Sequence, residues 1–166
     1  MSVAIRIARS YTNKDKIMFC GYHGWHDWYI SANLSESKNL DGHLLPGLEP
    51  KGVPRQLQGT MLPFHYEDFD MFDQILSENR SEVGVVVMEP ARGGNPNVDF
   101  LEHVRNHCDK NNIVLIFDEI TSGWRINSGG IHMKTDVYPD IATFAKAISN
   151  GYPMSAVIGK RAIMSE

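Results

Sequence analysis

The sequence predicts an α/β domain built on a mostly parallel β-sheet, and three observations carry this. Val83–Met88 and Ile113–Phe117 are short apolar runs without alternation, the pattern of strands buried on both faces. Between them, Val98–Lys110 places Leu101, Val104 and Cys108 along one helical stripe. Each apolar run then stops abruptly at acidic residues, Glu89 after the first and Asp118-Glu119 after the second. Strand, helix and strand in alternation are the pattern of layered α/β folds.

The other elements follow in chain order. Val3, Ala4, Ile7 and Ala8 share a face at helical spacing, so a helix starts almost at residue 1, with Ser2 as its expected cap. Lys16–Cys20 reads as a short strand. Gly21–Trp28 is a glycine-punctuated aromatic loop that leads into a helix or turn. Residues 31–65 show no sustained period and carry many Gly and Pro residues, and so read as one long irregular stretch. A helix is expected over Asp68–Asn79, with Phe69, Phe72 and Leu76 on one face. Ile141–Ala145 is a third, weaker buried strand that runs into Lys146, and Ser155–Gly159 is a fourth.

Composition narrows the function. The chain has 166 residues, about one domain's worth, and 42% are hydrophobic, enough for a real core. A net charge of −4 argues against nucleic acid as a partner, because a phosphate backbone demands clustered Lys and Arg. Two cysteines, Cys20 and Cys108, are too few for a disulfide scaffold, and buried thiols in a reducing compartment are expected. No secretory signal or bilayer-length apolar run is present. The expectation is a soluble, cytoplasmic protein with no membrane partner.

In parallel sheets, ligands bind beyond the carboxyl ends of the strands. Here three strand ends carry Glu89, Asp118-Glu119 and Lys146, so acids and an amine converge if the strands are neighbours. A lysine at a strand end is unremarkable alone. Paired with an aspartate on the same edge, it fits pyridoxal phosphate chemistry: the amine forms a Schiff base with the cofactor aldehyde, and the carboxylate pairs with the protonated pyridine nitrogen.

Two other chemistries were weighed. An apolar strand ending in Asp-Glu also describes the magnesium-holding strand of P-loop ATPases, but the G-x-x-x-x-G-K-[ST] string they need is absent. His103 and His107 lie four apart on the expected helix, yet Val104 stands where a zincin carries Glu. The string His23-Gly-Trp-His26-Asp27 also holds three possible ligands, but no third cluster completes either site and there is no Cys pair. All four read as solvated or hydrogen-bonded histidines, and no metal is expected.

The strings YHGWHD (22–27), MEP (88–90), FDEITSGWR (117–125) and PDIATFAKAISNGYP (139–153) resemble the class III pyridoxal-phosphate aminotransferases in wording, order and spacing. The branch most resembled is the glutamate-1-semialdehyde aminomutase-like one. The resemblance implies a three-layer sheet of the fold-type I large domain, present in part over residues 1–166. The family's upstream phosphate-binding segment and C-terminal small domain would lie outside the chain.

The resemblance also assigns roles. Lys146 is the Schiff-base lysine and Asp118 the pyridinium partner. Tyr22 stacks on one face of the cofactor and Ile120 presses on the other. His23 and Gly24 shape the loop under the ring, Glu89 is an acid near cofactor and substrate, and Arg125 ties its turn together. The partners implied are a small amino donor, a carbonyl acceptor and a second copy in a homodimer. After Lys146 the chain reads Ala-Ile-Ser-Asn-Gly-Tyr-Pro rather than the glycine run typical of the mutases. Transfer between molecules and an amino shift within one therefore both stay open. A non-catalytic homologue acting as a binding module is the alternative of another class.

Overall fold

The computed structural model describes residues 1–44, 46–92, 94–149 and 151–165. The elements are α1 (Ser2–Thr12), β1 (Lys16–Cys20), α2 (Asp27–Ile30), α3 (Ala32–Ser35), β2 (Met61–Pro63), α4 (Phe69–Asn79), β3 (Val83–Met88), α5 (Val98–Asn111), β4 (Val114–Asp118), β5 (Ile141–Phe144), β6 (Ala156–Gly159) and α6 (Arg161–Met164). Six strands form one sheet in the order β2-β1-β3-β4-β5-β6. All pairs are parallel except β5 with β6.

Alternate side chains enter opposite layers, which explains why the central strands read as unbroken apolar runs. Ile17, Phe19, Val85, Val87, Val114 and Ile116 face one core, covered by α1, α2 and α6. Met18, Cys20, Val86, Met88, Leu115 and Phe117 face the other, covered by α4 and α5. Each fully buried side chain of this size contributes about 1.5–3 kcal/mol relative to exposure. The result is the expected three-layer arrangement.

Local chemistry sets the helix ends. Asp68 caps α4 by accepting from the Met71 N–H at 2.9 Å, and Asn97 caps α5 by accepting from Phe100 at 3.0 Å. Asn13 and Asn112 close α1 and α5 in the left-handed conformation, with φ of 51° and 54°. The expected cap of α1 is corrected. Met1 occupies the cap position without a side-chain bond, and the Ser2 hydroxyl instead meets His26 Nδ1 at 2.9 Å. Phe69 is less buried than its pattern implied, at 36% exposure beside fully buried Phe72.

The stretch 31–65 is also corrected. It holds α3, a 3₁₀ turn at Arg55–Leu57 and the edge strand β2, which pairs with β1 through Ile17, Met18 and Phe19. One glycine is structural: at Gly84 a Cβ would lie 2.5 Å from Thr12 Oγ1 and 2.7 Å from Lys14 Cβ. The β1–β3 register slips by one residue at that point, where the end of α1 presses on the sheet.

Asp140, just before β5, ties four elements together. Its Oδ2 accepts from Leu115 N–H at 2.8 Å and Arg105 Nη1 at 3.0 Å, and its Oδ1 accepts from Lys160 Nζ at 2.7 Å. The carboxylate is buried, and removing it leaves the Leu115 N–H without its acceptor and the partly buried Arg105 with only exposed Asp109 as an ion-pair partner. Asp140→Ala is expected to lower unfolding free energy by about 3–5 kcal/mol, the scale for breaking one side of a buried pair. Urea denaturation reads this, and a loss comparable to that of a surface substitution would refute the clamp.

Candidate active site

From β1 the chain connects first to β2 on one side and then, through α4, to β3 on the other. This places a topological switch point between the carboxyl ends of β1 and β3. The loop after β1 (Gly21–His26), Glu89 after β3, Asp118 ending β4 and Lys146 just after β5 all lie on this edge. A cavity of about 150 Å³ opens here, lined by Met1, Tyr22, His23, Gly24, His26, Asp118, Ile120, Thr121 and Lys146. A larger cavity of about 770 Å³ lies beside α1 near Trp25 and Leu57, but neither Asp118 nor Lys146 lines it.

Asp118 is the centre of the site. Its carboxylate is 3% exposed. His23 Nδ1 donates to Oδ2 at 2.8 Å, and the Ile120 N–H donates to Oδ1 at 3.1 Å. The far ring nitrogen of His23 faces the Cys20 carbonyl at 3.2 Å, so the imidazole meets an acceptor on each side. Each Asp118 oxygen retains a lone pair for a donor placed in the cavity.

Lys146 sits at φ 54°, a left-handed conformation that L side chains rarely adopt. It opens a 3₁₀ turn, and its Nζ donates to Thr121 Oγ1 at 2.8 Å. Amine and buried carboxylate therefore line one cavity, although they are 28 residues apart in sequence. The string around the lysine runs on to Asn150, which lies outside the described residues.

Glu89 does not line the cavity. Its Oε2 accepts from the Tyr22 N–H at 3.1 Å, and a Cβ on Gly21 would sit 2.6 Å from that same oxygen. Glycine at 21, with φ 112°, is therefore required twice over. Glu119 also turns away. It is fully buried and binds His132 Nδ1 at 2.8 Å, the His132 N–H at 3.1 Å and the Ser122 hydroxyl. Arg125 closes its turn by donating from Nε to the Thr121 carbonyl at 2.6 Å.

Other groups at the site carry no signal in the sequence. Buried His43 accepts from the Gly21 N–H at 3.3 Å. Burial first, then neighbouring His65 and Arg92, lower its pKa to about 4, so it stays a neutral acceptor under the loop. Tyr29, whose hydroxyl donates to the Gly21 carbonyl at 2.9 Å, has its pKa raised by burial. His26 is lowered, again mainly by burial. Burial raises Cys20 to about 12 and Cys108 higher still, so both are inert thiols.

A buried carboxylate and a lysine amine thus line one cavity at the carboxyl edge of a parallel sheet. The chain belongs to the class III aminotransferase family, whose sequence model matches residues 1–166. It is 36% identical over 169 residues to a 3-aminobutyryl-CoA aminotransferase of Cloacimonas acidaminovorans, covering 98% of this chain and 37% of that protein. It is 37% identical to a glutamate-1-semialdehyde 2,1-aminomutase of Cytophaga hutchinsonii, covering 97% and 38%. The chain thus spans under two fifths of the curated relatives it matches.

Among solved structures, an omega-transaminase from Sphaerobacter thermophilus aligns with a TM-score of 0.80 at 28% identity, covering 99% of this chain and 39% of that one. A transaminase with PLP bound aligns with a TM-score of 0.83 at 27% identity, covering 99% and 38%. The sheet and its layers are therefore those of the fold-type I transaminases.

The Glu119 brace has a pH consequence. Burial alone would raise its pKa, but the hydrogen bonds from His132, Ser122 and the backbone outweigh that and hold it below its ordinary 4.5. A carboxyl depressed in the folded state adds stability above its unfolded pKa, and that stability is lost as pH falls through the folded value. Urea midpoints of the protein are expected to fall below about pH 4.5, and Glu119→Gln is expected to start lower at pH 6 and fall less on acidification. Identical acid slopes in the two proteins would show that Glu119 does not carry the effect.

Proposed function

We propose that the protein carries out pyridoxal-phosphate-dependent amino transfer at this edge, with Lys146 and Asp118 as its catalytic residues. The observation that carries the reading is one cavity walled by an anchored, buried carboxylate and a lysine amine at the carboxyl edge of the sheet. The cavity is about the liquid-volume share of five waters, room for one aromatic ring. Asp118 presents unused lone pairs to it, as a ring N–H requires. The residues fit the group.

When bound, pyridoxal phosphate supplies an aldehyde that condenses with amines and a ring that accepts an electron pair. Asp118 would keep a proton on the ring nitrogen, because His23 and the Ile120 N–H fix its carboxylate in orientation. Tyr22 and Ile120 would flank the ring. His23 and Gly24 would form the floor of the loop, and Glu89 would hold the backbone that carries Tyr22. Lys146 Nζ, parked on Thr121, would serve as the amine that the substrate displaces, and would then move a proton to and from the carbon that bears the amino group.

The substrates are a small amino donor and a carbonyl acceptor. A second reading, an amino shift within one molecule, is favoured by the relatives named glutamate-1-semialdehyde 2,1-aminomutase. It uses the same two residues, and the products separate the readings: an amino shift converts one substrate into its isomer with no second substrate, whereas transfer between molecules needs a carbonyl acceptor and releases a new keto compound. Exposed Trp25, Tyr152 and Met154 support a homodimer of the whole protein, in which a partner covers them. The two buried free thiols support a cytoplasmic setting. Among the described residues no helix is long and apolar enough to cross a membrane. Residues 1–166 are, on this reading, part of a larger cofactor-binding domain.

Borohydride reduction in the presence of pyridoxal phosphate, followed by peptide mass mapping, tests the reading. A single labelled peptide containing Lys146 is expected, absent from Lys146→Ala. Asp118→Ala is expected to keep the label yet lose about 10²–10⁴ in amino-transfer rate, the range for a group that manages a proton in the transition state. Label scattered over surface lysines would refute the assignment.

A further inference from the structure

Away from this edge, α4 and α5 bring together three side chains that the proposed chemistry does not use. His103 and His107 are one helical turn apart on α5 and point to the same side. Asp73 on α4 reaches across to them. His103 Nε2 lies 2.7 Å and His107 Nε2 3.5 Å from the same Asp73 oxygen, Oδ1. All three donor atoms fall within 4.8 Å of one another. We propose that Asp73, His103 and His107 form a binding site for a divalent transition-metal ion, of the zinc, nickel or copper class, that clips α4 to α5.

Spacing is the first argument. Bonds of about 2.0–2.2 Å to a tetrahedral ion place its donors about 3.4 Å apart. The His107–Asp73 pair is already at that separation, and the His103–Asp73 pair opens by less than an ångström. As a hydrogen bond, in contrast, 3.5 Å is beyond good geometry. The protein's own contacts therefore leave His107 poorly matched, and an ion would serve all three groups at once.

Preorganisation is the second. The His103 ring packs edge-on against Phe69 at 5.1 Å and Phe72 at 5.9 Å, and the His107 ring packs against Phe72 at 5.9 Å. The two imidazoles touch, with centroids 4.5 Å apart. Phe72 is fully buried, so hydrophobic packing on rigid helices sets the ring positions, as a metal site needs. Asp73 is about half exposed, which leaves a fourth coordination position open to water.

Two imidazole nitrogens and one carboxylate suit zinc, nickel and copper, whereas magnesium and calcium demand oxygen shells.

The test is titration of tag-free, cofactor-free protein with Zn²⁺, Ni²⁺ and Cu²⁺ by calorimetry. One saturable equivalent is expected, with Cu²⁺ tightest and with no displacement by excess Mg²⁺. His103→Ala and His107→Ala, confirmed as folded by circular dichroism, are each expected to weaken binding by more than the about tenfold that even an outer-shell partner costs. His65→Ala, at an exposed histidine elsewhere, is expected to leave binding unchanged. Zn²⁺ is also expected to raise the melting temperature of the parent and not of Asp73→Asn. Lack of saturable binding, binding unchanged in both histidine variants, or displacement by Mg²⁺ would overturn the proposal.

Discussion

A parallel sheet buried on both faces has only its strand ends available for polar chemistry, and this constraint organises the molecule. Along β1, β3 and β4 nearly every side chain is fully buried and apolar. A charge placed mid-strand would have no partner in either layer and would carry a desolvation cost of several kcal/mol. The acids and the lysine therefore collect where the strands stop. Strand order then decides which ends meet: the loop after β1 reaches the ends of β4 and β5, and the cavity opens among them. Asp118 holds the last position of β4, with its backbone in the ladder and its carboxylate on the edge.

That carboxylate is stable there because a residue 95 positions earlier meets it. His23 is held in turn by the loop after β1, which is clamped at Gly21 by two buried groups and one partly buried acid. Tyr29 binds its carbonyl, His43 accepts from its N–H, and Glu89 fills the space a side chain would need. Protein contacts therefore set the loop that carries Tyr22. Within this network the buried His43 Nε2 has no partner among the described residues, whereas Asp118 and Lys146, which line the cavity, are both bonded.

The central strands, the two long helices and the edge bearing Asp118 and Lys146 were legible in the sequence, because each is written in local pattern: an apolar run, a helical stripe, a charge where the run stops. Strand β2 was not. It has three residues, ends in Pro63 and lies in a stretch rich in Gly and Pro, and its identity comes from backbone pairing with β1. Contacts between distant residues were equally silent. Nothing in the spacing says that His23 meets Asp118, that Thr121 receives the Lys146 amine, or that Asp73 completes the His103–His107 pair. Ser2 shows the converse error. A capping residue type stood at a helix start, and tertiary contact with His26 took its hydroxyl instead. Glu89 and Glu119 show a related ambiguity, since a strand-end acid can brace a loop as readily as face a cleft.

Lys146 carries this logic furthest. A lysine in the left-handed region costs about 1–2 kcal/mol relative to an ordinary conformation. Glycine would remove that cost, and the chain uses glycine freely at other positive-φ positions, including Gly21 and Gly24 in the facing loop. The strain exists because β5 must end at this point. Ala145 is still extended, and the next residue turns the chain towards the antiparallel return of β6. A side chain leaving the backbone at such a turn is aimed by the turn itself. Thr121, from the neighbouring strand end, then receives the amine. Glycine would ease the backbone and supply no amine. The local penalty at position 146 is therefore the cost of placing an amine on the wall of the cavity that Asp118 also lines.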